Sequence, residues 1–326
     1  MREVATPGRW IWRASGLITT AVLIFVGTHL IARAGQPEYA QPRSTAIRTV
    51  TVPQPVTSLT VQSYGAPVQV TGAPVGRVQI TETLMYDAQA SGNISASPTP
   101  ASAAPGGNLS ASPAAGPPVS PVPSVPPVPP EPSALPSGAP AVLQSVSGGH
   151  LSLGDPECGA SDCSVSFAVT VPSAVTVTVD TEGGSISVSG VAGANLDSGG
   201  GPVDATRISG PLTVGTDGGP LRLTGLAGPL SADTGGGPLA ALGVASATAT
   251  VSTAGGGVSM VFSAAPDSVT VGTDGGSARL VVPGGPYALT ADSDGGPQSI
   301  QIATDPAAHR SITVMSDGGP LMVGSR

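Results

Sequence analysis

A pair of adjacent glycines returns eight times in the second half of the chain, and no other feature constrains the fold as strongly. The pairs are Gly183-Gly184, Gly200-Gly201, Gly218-Gly219, Gly236-Gly237, Gly256-Gly257, Gly275-Gly276, Gly295-Gly296 and Gly318-Gly319, with steps of 17, 18, 18, 20, 19, 20 and 23 residues. Self-similarity at such a period marks a repeat architecture. Each unit follows one plan. A short alternating run such as Leu212-Thr213-Val214 places apolar side chains on one face of a strand. Asp217-Gly218-Gly219 comes next: the Asp bonds nearby backbone and the glycines accept a sharp turn. A second run, Leu221-Arg222-Leu223, leads to a looser corner at Gly225-Leu226-Ala227-Gly228-Pro229. Two short strands and two corners per unit describe one coil of a parallel β-solenoid, a β-helix-like stack.

A meander of hairpins is the competing arrangement, because Asp-Gly-Gly between strands also suits a hairpin. Two observations favour the solenoid. Matching positions in successive units carry matching residue types, so identical corners can stack. Aromatic residues make up only 3% of the chain, and units this thin bury enough surface only when each covers its neighbour. At ~4.8 Å per stacked strand, eight coils would extend about 40 Å.

Residues 16–34 read as a transmembrane anchor. Gly16 to Ala32 is apolar apart from Thr19, Thr20, Thr28 and His29, long enough for a tilted span of a hydrocarbon layer. Arg2, Arg9 and Arg13 precede the segment and Arg33 follows it, which puts residues 1–15 in the cytoplasm as a short tail. Trp10 and Trp12 sit where an interfacial aromatic belt would lie. A cleaved signal peptide is the alternative, since Ala32-Arg33-Ala34 has the look of a cleavage site. Both alternatives export the rest of the chain.

After a linker at 35–46, residues 47–87 supply strand text such as Ile47-Arg48-Thr49-Val50 and Val68-Gln69-Val70, less regular than the later units, as a terminal cap would be. Residues 88–141 are rich in Pro, Ala, Ser and Gly, cannot bury a core, and are expected to form a disordered insert. Strand text resumes for the solenoid at 142–326. The chain stops at Gly324-Ser325-Arg326 straight after a strand, so an open end there is expected, able to pair with another copy or a partner.

Few residues suggest chemistry. From Gly35 on there are 19 acidic residues against 8 Arg, a surface that repels phosphate backbones and excludes nucleic acid as a partner. Cys158 and Cys163, the chain's 2 cysteines, read as a disulfide pinning a loop outside the cytoplasm. A metal site would need more ligands, and only His150 is near. The turn acids Asp180, Asp217, Asp274, Asp294 and Asp317 recur at one corner, where stacking could line them into a column. A calcium-binding β-roll phrase places its Asp after the glycines, whereas these precede them. Arg222 and Arg279 share a slot after their glycine pairs, hence one face. No catalytic triad, phosphate loop or zinc spacing appears. No metal or cofactor is expected, and the chain is not expected to be an enzyme.

The text resembles a bacterial putative adhesin family, a β-strand-repeat domain of unknown function. The likeness rests on the opening run Val56-Thr57-Ser58-Leu59-Thr60-Val61, the step Val171-Pro172 before Val175-Thr176-Val177, and the repeat from Thr181 to Gly190. It covers about residues 47–86 and 142–326 and leaves out the Pro-rich insert. The resemblance implies a solenoid exposed at the cell surface and brings no catalytic residues. The expected role is a non-catalytic adhesin-like or scaffold domain held by one membrane anchor, its partners being cell-wall polymer or another surface protein. An envelope sensor acting through a membrane partner is the alternative, and a glycan-active β-helix enzyme a more distant one.

Overall fold

Short runs that alternate apolar and polar residues can each form only a short strand, and the computed structural model is built from such strands throughout. It describes residues 43–87, 142–155 and 163–326, so the expected anchor at 16–34 and the insert at 88–141 lie outside the described residues. Every regular element described is a β-strand. The first seven are β1 (Arg43–Val52), β2 (Ser58–Ser63), β3 (Val68–Ala73), β4 (Val78–Asp87), β5 (Leu143–Ser147), β6 (His150–Gly154) and β7 (Cys163–Pro172). The repeats supply β8 (Thr176–Thr181), β9 (Ile186–Ser189), β10 (Gly193–Ser198), β11 (Val203–Thr206), β12 (Leu212–Thr216), β13 (Leu221–Thr224), β14 (Leu230–Thr234) and β15 (Leu239–Val244). They continue with β16 (Thr248–Thr253), β17 (Val258–Phe262), β18 (Ser268–Thr273), β19 (Ala278–Val282), β20 (Ala288–Asp292), β21 (Gln298–Gln301), β22 (Ser311–Ser316) and β23 (Leu321–Ser325).

From β8 onward the chain alternates between two sheets, one strand in each per repeat. The 11-stranded sheet runs β5-β6-β2-β8-β10-β12-β14-β16-β18-β22-β20, and the 12-stranded sheet runs β1-β4-β7-β3-β9-β11-β13-β15-β17-β19-β23-β21. The repeat strands pair in parallel without a register slip over most of their length, for example Leu212 with Leu230 and Val214 with Ala232. The fold is therefore all-β, with two mostly parallel sheets in a solenoid-like arrangement.

Each layer contributes inward side chains from both of its strands to one continuous core. In β12 and β13 these are Leu212, Val214, Leu221 and Leu223, all buried. Following the first of these slots through the stack gives Val177, Ala194, Leu212, Leu230, Ala249, Val269 and Ile312. Small and large residues are mixed along that column, as a core one layer thick per repeat requires if it is to stay densely packed. Full burial of each large aliphatic side chain contributes roughly 1.5–3 kcal/mol, so a modest gain recurs in every layer.

The glycine corners stack directly on one another. A Cβ on Gly219 would strike the carbonyl of Gly201, one on Gly237 that of Gly219, and one on Gly276 that of Gly256. The fifth stacked pair is thus Gly255 and Gly256, one residue earlier than the repeat spacing suggests. Gly257 fills the slot that Pro220 and Pro238 hold elsewhere: Leu221 N–H donates to Pro238 O and Leu239 N–H to Gly257 O. Two residues before each stacked pair is a buried hydroxyl. Thr181, Thr234, Thr253 and Thr273 donate through Oγ1 to the carbonyl three residues on, at 3.0, 2.8, 2.7 and 2.7 Å. Ser198, Ser293 and Ser316 do the same at 3.2, 2.6 and 3.2 Å. Ser63 donates to Ala66 O at 3.3 Å, so Ser63-Tyr64-Gly65-Ala66 is a further copy of the corner, made by the strands preceding the insert.

At both ends the chain departs from simple succession. The layer of β2 and β3 lies between that of β6 and β7 and that of β8 and β9, with Ser58 opposite His150 on one side and Thr176 on the other. The two flanks of the insert therefore interleave within one stack. Beyond β7 the pairing turns antiparallel, as β4 pairs β7 and β5 pairs β6. At the other end β22 and β23 pass back between the layer of β18 and β19 and the outermost layer of β20 and β21. The expectation of an open end at the C-terminal strand is corrected here: β23 is paired on both sides, and the outermost strands are β20 and β21, with Thr304 pairing Tyr287 just before β20. The reason lies in one residue. Gln298 occupies the inward slot that Leu321 and Ala278 fill in the neighbouring layers. An amide in that slot is costly under cover on both sides, and in the outermost layer it is exposed.

Candidate functional site

The outward face of the 11-stranded sheet carries a nearly unbroken column of hydroxyls. Register places Ser152 beside Thr60, Thr60 beside Thr178, and then in succession Asn195, Thr213 and Ser231. The column continues through Thr250, Thr270 and Thr313 to Thr290 in the outermost layer. Strand spacing repeats these groups every ~4.8 Å. The face is polar and carries no charge in this column.

The turn acids fall into two sets. Asp217, Asp274, Asp294 and Asp317 follow the buried hydroxyl and share the corner slot with Glu182, Gly199, Gly235 and Ala254. Asp180 stands elsewhere. It lies in a strand-end column with Asp197, Gly215 and Asp233, one residue before the hydroxyl. Asp274, Asp317 and Asp294 occupy three successive layers, and no group of His, Cys, Asp or Glu suited to a metal ion is found among the described residues. Arg222 and Arg279 do share one outward column, three layers apart through Ala240 and Ser259.

His150 Nδ1 lies 2.8 Å from Ser58 Oγ, tying β6 to β2. Cys163 opens β7 and is not a free thiol, while Cys158 lies outside the described residues. A recess of about 280 Å³ at the β2 corner is lined by Gln62, Ser63, Tyr64, Asp155, Asp180 and Glu182 among others. Asp155 accepts hydrogen bonds there from Tyr64 N–H at 2.7 Å and Ser63 Oγ at 3.3 Å. Burial raises its carboxyl above the ordinary value, and those two bonds pull it back.

Glu82 is a residue that the sequence pattern passes over. It sits on the inward stripe of β4 between Ile80 and Leu84, and its side chain is 0% exposed. Arg48 of β1 approaches it at 3.7 Å, and neither carboxylate oxygen has a hydrogen bond. Burial pushes the carboxyl above its ordinary value, and Arg48 lowers it in part. Between the ordinary value and the raised one, the folded chain holds a proton that the unfolded chain has released, so stability falls as pH rises through that window. Urea unfolding across a pH series is expected to show this slope in the natural chain and a shallower one in Arg48→Leu/Glu82→Leu, where only the buried Asp155 carboxyl still contributes in the same direction. That double variant is expected to be neutral or more stable by about 1–4 kcal/mol at neutral pH. A pH slope unchanged by the double substitution would refute the assignment to Glu82.

No family model matches the chain, and no curated protein matches it. Among solved structures it is similar to a protein described as a "putative cell adhesion protein" from Clostridium sporogenes, over 87% of this chain and 100% of that one. The identity is 9% and the TM-score 0.27, a level at which the likeness carries no argument.

Proposed function

We propose that the chain is a non-catalytic surface module: a parallel β-solenoid, carried outside the membrane on the apolar segment at 16–34, that presents its long polar face to cell-wall polymer or another surface protein. The observation that carries this reading is the hydroxyl column from Ser152 to Thr290, repeated in step along the 11-stranded sheet. A regular face of this kind offers many equivalent shallow contacts, which suits a repetitive polymer better than a single small molecule. Ser, Thr and Asn hydroxyls and amides both donate and accept, matching the groups of a glycan. The N-terminal apolar run and its flanking arginines support the anchor. Extracytoplasmic placement supports a Cys158–Cys163 disulfide closing the turn before β7.

Full-length chain reconstituted in lipid vesicles tests the two halves separately. It is expected to stay with the vesicles after alkaline extraction and to retain purified wall polymer in flotation. Release on extraction would remove the anchor. Failure to retain any wall polymer or surface-protein extract would remove the adhesion reading.

A further inference from the structure

Four Asp-Gly steps occur in the chain, at Asp217-Gly218, Asp274-Gly275, Asp294-Gly295 and Asp317-Gly318, and all four stand at the stacked corner. Two of them share the pentapeptide Ser-Asp-Gly-Gly-Pro, at 293–297 and 316–320. Their local sequences make these steps equivalent, and the fold separates them. In three steps the glycine N–H is held. Gly218 N–H donates to Thr216 Oγ1 at 3.4 Å, and Gly275 N–H to Thr273 O at 3.0 Å. Gly318 N–H donates to Ser316 O at 3.0 Å and to Ser293 O of the next layer at 2.9 Å. Gly295 N–H has no acceptor among the described residues.

The backbone differs as well. Asp294 and Gly295 have φ of 45° and 88°, and Gly296 N–H donates to Ser293 O at 2.9 Å. This is a tight turn with both central residues left-handed, a conformation disfavoured for an L side chain such as that of Asp294. Its ends are pinned to the layer of β22 and β23: Ser293 O accepts from Gly318, and a Cβ on Gly296 would strike the carbonyls of Gly319 and Gly318. Its two central residues are exposed, and a Cβ on Gly295 would meet nothing within 4 Å. Because β20 and β21 are outermost, this corner has a stacked neighbour on one side only. The corners of Asp217, Asp274 and Asp317 have one on each side.

We propose that Asp294 is a site of spontaneous isoaspartate formation, which remodels the outermost layer as the chain ages. The Gly295 backbone nitrogen attacks Cγ of the protonated Asp294 carboxyl. A C–N bond forms, the nitrogen gives up its proton, and one water leaves, which closes a five-membered succinimide. Water then reopens the ring. Addition at the side-chain carbonyl returns aspartate. Addition at the α-carbonyl leaves the main chain running through Cβ and Cγ, with the α-carboxylate as the new side group. One water lost and one gained leave the mass unchanged. Ring closure requires the Asp294–Gly295 peptide plane to turn until its nitrogen faces Cγ. That turn breaks no hydrogen bond of the peptide group and displaces no covering layer. At the other three steps it breaks at least one bond between two stacked layers. The isoaspartyl linkage adds a carbon to the main chain between Ser293 and Gly296. The turn joining β20 to β21 then loses its closing bond, and the outermost layer loosens while the layers beneath stay stacked. The proposal is independent of the adhesion reading.

The test uses the full chain in detergent micelles, held warm at neutral pH in heavy-oxygen water. Cleavage after arginine puts the four steps in separate peptides, 208–222, 223–279, 280–310 and 311–326. Mass spectrometry then reads heavy oxygen and isoaspartate in each. Residue 294 is expected to gain both roughly fivefold or more faster than the other three steps, the factor that breaking about one backbone hydrogen bond supplies. Asp317 is the strictest comparison, since its local sequence is the same. Equal rates at Asp294 and Asp317, or a faster Asp317, overturn the proposal. In urea the four rates are expected to converge; a lead of Asp294 that persists in the unfolded chain would place the cause outside the fold and overturn it too. Hydrogen exchange of the aged chain is expected to quicken in β20 and β21 and not in β16 to β19. Unchanged exchange in β20 and β21 overturns the remodelling of the layer.

Discussion

Gly219→Ala is expected to destabilise the chain by about 3 kcal/mol or more, while Gly218→Ala, one residue earlier, stays within about 0.5 kcal/mol of the natural chain. The contrast comes from stacking alone. A Cβ at Gly219 falls on the backbone of Gly201, and neither backbone can retreat without opening the layer spacing of both sheets. A Cβ at Gly218 meets nothing within 4 Å. Because each layer touches only its neighbours, the damage concentrates at the interface between two repeats. Hydrogen exchange should localise it to the corner between β12 and β13 and the layer of β10 and β11. Equal stability of the two variants in urea unfolding would refute direct stacking of the corners.

Val323→Asp is expected to be among the most damaging single changes, at about 4 kcal/mol or more, although Val323 is three residues from the chain's last residue. Terminal strands usually tolerate change because they fray. Here β23 is flanked by β19 and β21, and Val323 is 0% exposed. An aspartate there would be a buried charge without a partner. Ile300→Asp, earlier in the chain but in the outermost layer, is expected to cost about 1 kcal/mol or less, since its carboxylate can reach water. The opposite ranking of the two variants in thermal unfolding would mean that the last strands sit at the outside of the stack and not within it.

The glycine corners are legible in the sequence because close backbone contact between successive repeats leaves no room for a Cβ, so the residue returns at a fixed offset from Gly184 onward, Ala66 taking the slot in the β2 corner. The hydroxyls at Thr181, Thr234 and Thr253 are less visible, since Thr and Ser also fill the outward positions and one letter serves two environments. Their constant place two residues before the stacked pair is the available signal. A run of three glycines, as at Gly255 to Gly257, hides which two are stacked; only pairing with the layers on either side resolves it. Asp180 groups with the corner acids in the sequence because Asp180 and Asp217 both precede a glycine pair, yet a two-residue offset moves Asp180 onto the strand. The exchange of the last two layers is illegible from strand text, as Leu289-Thr290-Ala291 and Ile312-Thr313-Val314 fit the same slot equally well. Gln298 in a core position and the 23-residue final step are its traces. Glu82 lies within a strand of otherwise apolar inward residues, where an isolated acid suggests an outward turn of the side chain, not an inward one.

The described strands break off after β4 and resume at β5, both at the end of the stack that β1 also occupies. The cost of closing a flexible connection between two such points depends only weakly on its length, about 0.6 kcal/mol for each doubling. Insertions and deletions in this stretch can therefore accumulate without shifting any repeat out of step. The length of that connection and the face the repeats present are free to evolve on separate schedules.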